Sequence, residues 1–282
     1  MKFCKMNGAG NDFLILNNIE EKIPAHDFPA LARTLCHRHL SIGADGFMVI
    51  EKAQGNADFK MLFFNSDGSM GEMCGNGARC ICRYGYENGL SGETQTIETT
   101  AGIVTGERIS KRLYRIRLNN PSVMDLHRSV EVNGTLYDCA YVELGDPGIP
   151  HAVVSHPGLD LRQLFDLGSA LRRHSAFPKG ANVNFYRITE QDQLEITTFE
   201  RGVEDFTYAC GTGTGSTVAA LTLMGKVSGK NIRARMAGGE LTVTLSMVED
   251  TVSDIYLTGP TNIVAKGEVT DEELCLTNTS LC

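Results

Sequence analysis

Two stretches of this chain share one pattern, and that pattern limits what the chain can fold into. "MCGNGARC" runs from Met73 to Cys80 and "ACGTGTGS" from Ala209 to Ser216. In each, a cysteine precedes Gly-x-Gly and a run able to form a helix. Both runs close on glycine, at Gly89 and Gly225, as helix C-termini commonly do. A strand-like segment stands ahead of each motif. "DFKMLFFN" carries Asn65 nine residues before Cys74, and "TFERGVEDFTYAC" carries Glu200 ten residues before Cys210. Strand, polar residue, loop, Cys-Gly-x-Gly and helix therefore occur twice. Such an internal duplication implies two similar domains, each presenting one cysteine.

The rest of the chain fits that plan. "LYRIRLN" (113–119) and "ELTVTLSM" (240–247) alternate apolar and polar residues, as half-buried antiparallel strands do. "DFPALARTLCHRHL" sets Phe28, Leu31, Leu35 and Leu40 near helical spacing. "DLRQLFDLGSALRR" has Asp160 as N-cap with Gln163 three residues on, a capping-box signature. The strand pattern breaks at "NNPSV" (119–123), which places the join between domains there. The first domain is expected over 1–119 and the second over 120–261. With 282 residues, 42% of them hydrophobic, the chain is long enough for two cores.

Composition removes several classes of function. A net charge of −8 and a pI near 5.4, with no basic run above that background, disfavour nucleic-acid and anionic-membrane partners. The opening "MKFCKMNGAGND" is too polar for a signal peptide, and no apolar run approaches a membrane span, so a cytoplasmic location is expected. Nine scattered cysteines do not form a disulfide framework. Cys74, Cys80 and Cys82 lack zinc-site spacing, and no metal is expected. Cys4, Cys36, Cys139, Cys275 and Cys282 read as small packing residues, and His37, His39 and His127 as surface residues. "GTGTGS" lacks the last glycine and the following acid of a dinucleotide loop, and no phosphate-binding GxxxxGK[ST] occurs.

The paired motifs suggest a chemistry. The first N–H groups of a helix have no acceptor within it, so a helix start attracts a carboxylate and favours a thiolate. Two such starts facing one another would hold a carboxylate with a sulfur on each side of the neighbouring carbon. One thiolate would take the α-proton and the opposite thiol would return a proton to the other face. The helix ends would stabilise the oxyanion that forms.

At this point the residues resemble the diaminopimelate epimerase family, whose members are amino-acid epimerases that use no pyridoxal phosphate. The likeness runs through "KMNGAGNDFLIL" (5–16), "RHLSIGADGFMVIE" (38–51), "FFNSDGSMGEMCGNGARC" (63–80), "GIPHAVV" (148–154), "FPKGANVNF" (177–185), "FERGVEDFTYACGTGTGS" (199–216) and "LTGPTNIVAKGEV" (257–269). It implies an α+β fold of two similar domains, each a mainly antiparallel, barrel-like sheet around a central helix. A C-terminal segment, 262–282, would return to the first domain, and the site would lie in a cleft. By this resemblance Cys74 and Cys210 are the two acid/base residues, with His151 and Glu200 beside the thiols. Gly75, Asn76, Gly211 and Thr212 offer N–H groups to the α-carboxylate. Asn11 stands near the α-amine. Asn65, Asn182, Glu200 and Arg201 contact the amine and side chain, Arg201 as a buried guanidinium suited to a carboxylate. A small amino acid is the expected partner, no cofactor is implied, and a homodimer stays open.

Two departures bear on the substrate. Ile149 stands where the family often has Asn, and Gly46 where it often has Gln, so two polar contacts to the distal end are missing. LL- to meso-diaminopimelate conversion, for lysine and cell-wall synthesis, is the expected reaction. A racemase of the same family acting on histidine or lysine is the alternative. A non-catalytic amino-acid-binding protein is a third reading, opposed by the presence of both cysteines and Glu200.

Overall fold

The computed structural model describes residues 1–71, 74–270, 272 and 274. The chain divides into two units: Met1–Ile116 with the segment from Gly259 onward, and Arg117–Thr258. Each join falls three residues before the expected 119/120 and 261/262 breaks. Leu118 N already donates to Ile255 O at 2.8 Å, within the second unit. Cys275, Cys282 and most of the expected return segment beyond 270 lie outside the described residues.

The first unit contains β1 (Lys2–Gly8), β2 (Asn11–Asn17), β3 (Gly46–Glu51), β4 (Phe59–Asn65), β5 (Met70–Gly71), β6 (Thr94–Thr99), β7 (Gly102–Arg108) and β8 (Leu113–Arg117). Its helices are α1 (Asn18–Glu21), α2 (Phe28–Leu35) and α3 (Gly75–Glu87). The second unit contains β9 (Pro121–Val132), β10 (Thr135–Leu144), β11 (Ile149–Ser155), β12 (Asn182–Glu190), β13 (Gln193–Glu200), β14 (Asp205–Thr207), β15 (Ile232–Met236), β16 (Gly239–Val248) and β17 (Thr251–Pro260). Its helices are α4 (Leu161–Arg172) and α5 (Gly211–Leu223). A last strand, β18 (Asn262–Glu268), returns to pair antiparallel with β1.

The pairing repeats step for step. In the first unit β1–β2 is antiparallel, β2–β3 parallel, β3–β4 and β4–β5 antiparallel, β4–β6 parallel, and β6–β7 and β7–β8 antiparallel. In the second, β10–β11 is antiparallel, β11–β12 parallel, β12–β13 and β13–β14 antiparallel, β13–β15 parallel, and β15–β16 and β16–β17 antiparallel. β9 flanks β10 as β18 flanks β1. The fold is α+β, with each unit a mainly antiparallel sheet curled round one helix. α3 touches β1, β2 and β7, and α5 touches β9, β10, β11, β12 and β16.

Strand periodicity sorts the side chains onto two faces. Leu14, Leu16, Phe47, Val49 and Phe64 join Phe28, Leu31 and Leu35 of α2 in one core. The alternate residues face α3 instead, and Met48 and Phe13 crowd Gly77. In the second unit Ala152, Val154, Val183, Phe185 and Phe199 pack with Leu164 and Leu171 of α4. Their alternates, His151, Asn182, Asn184, Thr198 and Glu200, take the face turned toward α5. Burying each large apolar side chain contributes roughly 1.5–3 kcal/mol.

Local signals account for the helix ends. Asp160 Oδ1 accepts from Arg162 N at 2.9 Å, the N-cap bond expected for α4. Gly89 (φ 69°) and Gly225 (φ 66°) adopt left-handed dihedrals after α3 and α5. Leu90 N then closes on Gly85 O and Lys226 N on Leu221 O, each at 2.9 Å. α2 is shorter than its apolar spacing suggests. It stops at Leu35, and Leu40 is 81% exposed. His37 Nδ1 accepts from His39 N at 3.3 Å and Leu40 N at 3.1 Å, so a turn replaces the helix.

Candidate active site

Cys74 and Cys210 hold the same place in the two units. Each is the N-cap of its buried helix, with extended dihedrals of φ −125°, ψ 118° and φ −113°, ψ 110°. Gly75 and Asn76 open α3, and Gly211 and Thr212 open α5, where first-turn N–H groups have no acceptor within the helix. Gly213 N donates to Cys210 Sγ at 3.4 Å, and the Thr212 hydroxyl lies 3.6 Å from that sulfur. The other described cysteines are of another kind. Burial pushes Cys36, Cys80, Cys82 and Cys139 up to about 12 and also raises Cys4, so all five remain thiols.

α5 is buried on nearly every side, which a helix rich in hydroxyls tolerates because they bond within the helix. Thr214 Oγ1 donates to Cys210 O, Thr217 Oγ1 to Gly213 O and Thr222 Oγ1 to Val218 O, each at 2.8 Å. Against its first turn stands a polar layer. His151 pairs with Asn182 in the parallel register, and Asn184 with Thr198 in the antiparallel one. Thr198 Oγ1 donates to Asn184 Oδ1 at 2.9 Å, which orients the amide. Asn184 Nδ2 then donates to Ala152 O at 3.1 Å and lies 3.3 Å from His151 Nδ1.

His151 is fully buried, and burial, with the Arg201 charge adding to it, pushes its pKa down to about 3. It is a neutral imidazole at neutral pH, and its Nε2 has no hydrogen-bond partner among the described residues. Burial holds Glu200 above the usual carboxylate range. Asn182 is engaged internally: Oδ1 accepts from Arg201 N at 2.8 Å and Nδ2 donates to Pro150 O at 3.3 Å. Arg201 differs from expectation. It is exposed, not buried, because it opens the turn closed by Glu204 N to Glu200 O at 2.8 Å. Its Nη1 donates to Lys179 O at 2.9 Å.

In the first unit the polar groups form a chain. Arg79 Nη2 donates to Asn76 Oδ1 at 2.7 Å, Asn76 Nδ2 to Asn11 Oδ1 at 2.7 Å, and Asn11 Nδ2 to Asp45 Oδ2 at 3.1 Å. The chain continues outward, where Arg38 bonds Asp45 at 2.6 Å and Asp12 at 2.7 Å. A donor at one end fixes which way each amide points. Asn65 is exposed at the end of β4 and donates to Ser69 Oγ at 2.9 Å in its own turn. The space beside Gly46 is filled. A Cβ there would lie 2.5 Å from Phe63 Cε2 and 3.0 Å from Phe64 O.

Sequence reasoning passed over Asn184, Thr198, Arg79 and Asp45. Asn184 was findable, since it alternates with Asn182 on one strand face. Arg79 carried a weaker signal, a cation on α3 with no acidic residue three or four positions away in either direction.

Known proteins match this chain along most of its length. A profile described as diaminopimelate epimerase matches residues 3–112 and 145–264. The chain belongs to the diaminopimelate epimerase family. It is an isomerase. Among its relatives, the diaminopimelate epimerase of Aquifex aeolicus (strain VF5) is 35% identical over 286 residues, spanning 97% of this chain and 99% of that protein. That of Caldanaerobacter subterraneus subsp. tengcongensis is 33% identical, spanning 95% and 99%. Solved structures share the fold at lower identity. A probable proline racemase from Agrobacterium radiobacter K84 gives a TM-score of 0.68 at 19% identity, covering 95% of this chain and 92% of that one. A hydroxyproline epimerase from Agrobacterium vitis, with bound trans-4-hydroxy-L-proline, gives 0.67 at 18%, covering 95% and 91%.

Proposed function

We propose that this member of the epimerase family inverts the α-carbon of LL-diaminopimelate to the meso form with Cys74 and Cys210 as paired acid and base. One thiolate takes the α-proton, leaving the electron pair on a carbanion conjugated with the carboxylate. The other thiol gives its proton to the opposite face and becomes the thiolate. Solvent exchange resets the pair. First-turn N–H groups at Gly75, Asn76, Gly211 and Thr212 stabilise the carboxylate as its charge grows. No step requires a cofactor. The observation that carries this reading is the repeated N-cap cysteine, in extended backbone, at the head of a buried helix in both units. The setting proposed is lysine and cell-wall precursor synthesis in the cytoplasm.

The distal amino-acid group of diaminopimelate calls for a cation, and Arg201 offers a guanidinium with no carboxylate partner among the described residues. One observation favours the second reading, a family racemase for histidine or lysine. Phe63 occupies the space beside Gly46, so an apolar ring stands where many relatives carry an amide. The test is α-proton exchange in D₂O followed by NMR, with LL-diaminopimelate, L-lysine and L-histidine. Cys74→Ser and Cys210→Ser should each cut racemisation by about 10²–10⁴-fold or more. Near-wild-type turnover by either variant sinks the two-thiol reading. Faster turnover of lysine or histidine than of diaminopimelate replaces the substrate.

A further inference from the structure

We infer that Asn184 is a positioning residue that fixes His151 as the imidazole protonated on Nε2, so that the ring serves the reaction as a hydrogen-bond donor and not as a base. The inference rests on the two-thiol reading above and adds the histidine's part to it. His151 and Asn184 are both fully buried and stand on the neighbouring parallel strands β11 and β12. His151 Nδ1 lies 3.3 Å from Asn184 Nδ2, its one partner among the described residues. The amide's other neighbours decide which atom donates there. Asn184 Nδ2 also lies 3.1 Å from Ala152 O and 3.3 Å from Asn182 O, and a carbonyl oxygen can only accept. On the far side of the amide, Thr198 Oγ1 donates to Asn184 Oδ1 at 2.9 Å. Turning the amide over would set Oδ1 against two carbonyl oxygens. The amide nitrogen therefore faces the ring, its two hydrogens shared among three acceptors, and Nδ1 must accept.

A neutral imidazole carries a single N–H, and an acceptor at Nδ1 leaves that proton on Nε2. His151 is neutral because burial and the Arg201 charge both disfavour the imidazolium. With Nδ1 occupied by the amide and Nε2 protonated, the ring has no free lone pair with which to take a proton. Nε2 itself has no hydrogen-bond partner among the described residues. Buried donors without an acceptor are rare in folded proteins, and this one is open to an acceptor that arrives with the substrate. In the two-thiol reading His151 then steadies growing negative charge by donation. The α-proton passes between substrate and thiols alone.

The groups around the ring leave this assignment in place. Asn182, its register partner, uses Oδ1 to accept from Arg201 N and Nδ2 to donate to Pro150 O. On β10, Glu143 is engaged by Lys179 at 2.8 Å and by Tyr141 Oη at 2.6 Å. On β12, Arg187 pairs with Glu195, and Glu190 is exposed. Burial holds Glu200 of β13 above the usual carboxylate range. α5 carries no ionisable side chain. The same amide borders the second thiol's turn. A Cβ at Gly213 would lie 2.1 Å from Asn184 Oδ1 and 3.2 Å from Cys210 Sγ, so amide and sulfur flank one glycine.

The test is long-range proton–nitrogen correlation NMR of the full chain, isotope-labelled in its seven histidines. Each ring reports which nitrogen carries the proton. His151 is the ring whose signals vanish in His151→Phe. It is expected to show a protonated Nε2 and a bare Nδ1, unchanged from about pH 8 to about pH 5, a range in which an ordinary histidine becomes charged. Asn184→Ala frees Nδ1, and the single pattern should give way to averaged signals of the two tautomers. In that variant α-proton exchange, with whichever amino acid the wild type turns over, should slow by about 10–100-fold in kcat, the worth of one hydrogen bond to a charged group. Should Asn184→Ala fail to fold, the wild-type spectrum decides alone. A proton on Nδ1, an imidazolium above about pH 5, or an unchanged pattern or unchanged kcat in folded Asn184→Ala overturns the inference. The spectra need no turnover. An active enzyme with His151 protonated on Nδ1 refutes the donor role alone, and the expected spectrum without α-proton exchange refutes the two-thiol reading alone.

Discussion

Replacing Gly213 with alanine should damage the second thiol's surroundings by steric means. A Cβ at Gly213 lies 2.1 Å from Asn184 Oδ1, 3.1 Å from its Cγ and 3.2 Å from Cys210 Sγ. Real Cβ atoms do not approach within 3.0 Å, so the amide or the helix turn must move by about 0.9 Å. Asn184 is fully buried and held by Thr198 Oγ1 at 2.9 Å and Ala152 O at 3.1 Å, so it does not swing aside freely. Two effects compete. Alanine is the better helix former by roughly 0.8–1 kcal/mol. Overpacking costs about 1–3 kcal/mol, and breaking the Thr198 bond adds about 1–3 kcal/mol for buried groups left unsatisfied. The steric term wins, with a net loss of about 1–5 kcal/mol. Moving a proton-transfer group by nearly an ångström should also cost about 10²-fold in turnover. Urea unfolding and kcat/KM for LL-diaminopimelate would be measured for the wild type, Gly213→Ala, Asn184→Ala and the double variant. Without the amide the new methyl group has room, so Gly213→Ala should cost almost nothing in the Asn184→Ala background. Wild-type behaviour of Gly213→Ala, or an equal cost in both backgrounds, refutes the steric reasoning.

Two further outcomes concern His151 in the same layer and Gly46 in the first unit. His151 sits at about 3 in the folded protein, below its ordinary 6.5, so below about pH 6.5 the unfolded chain binds a proton that the folded chain does not. Stability should therefore fall as pH drops from about 6.5 toward 3, by up to about 1.4 kcal/mol per pH unit from this group. His151→Phe should flatten the acid side of a urea-stability profile, and parallel curves for the two proteins would contradict the assignment. Gly46→Gln alone should lower Tm, since its Cβ meets the Phe63 ring. Adding Phe63→Ala should relieve the strain and raise kcat/KM for diaminopimelate relative to lysine, and an unchanged ratio removes both residues from substrate choice.

Much of the fold was legible before any coordinates, and the reason is local. A cysteine in extended backbone before Gly-x-Gly, a run of helix formers and a glycine stop are decided by bonds spanning about five residues. The same holds for the Asp160 cap and for the alternation along β8 and β16. Repetition then carried the inference from element to architecture, because a sequence that encodes one such unit twice builds it twice. The shortened α2 shows the limit of periodicity. Leu40 keeps the helical spacing, yet the His37 side chain offers its own acceptor to the next N–H groups and ends the helix.

The sequence by itself determined the two N-cap thiols, the two buried helices and the strands that flank them. It could not determine which side chains surround each sulfur, because those contacts join residues far apart in the chain. Asn76 meets Asn11 across 65 positions and Asn184 meets His151 across 33. Whether Arg201 was buried depended on the turn it opens, and whether position 46 held open space depended on the Phe63 ring from the neighbouring strand. Above all, the two Cys-Gly-x-Gly motifs read as equivalents, and packing makes them different. α3 carries the buried guanidinium of Arg79, bonded to Gly75 O and Asn76 Oδ1, whereas α5 carries only hydroxyls and apolar side chains. That difference arises from burial, which only the tertiary structure assigns.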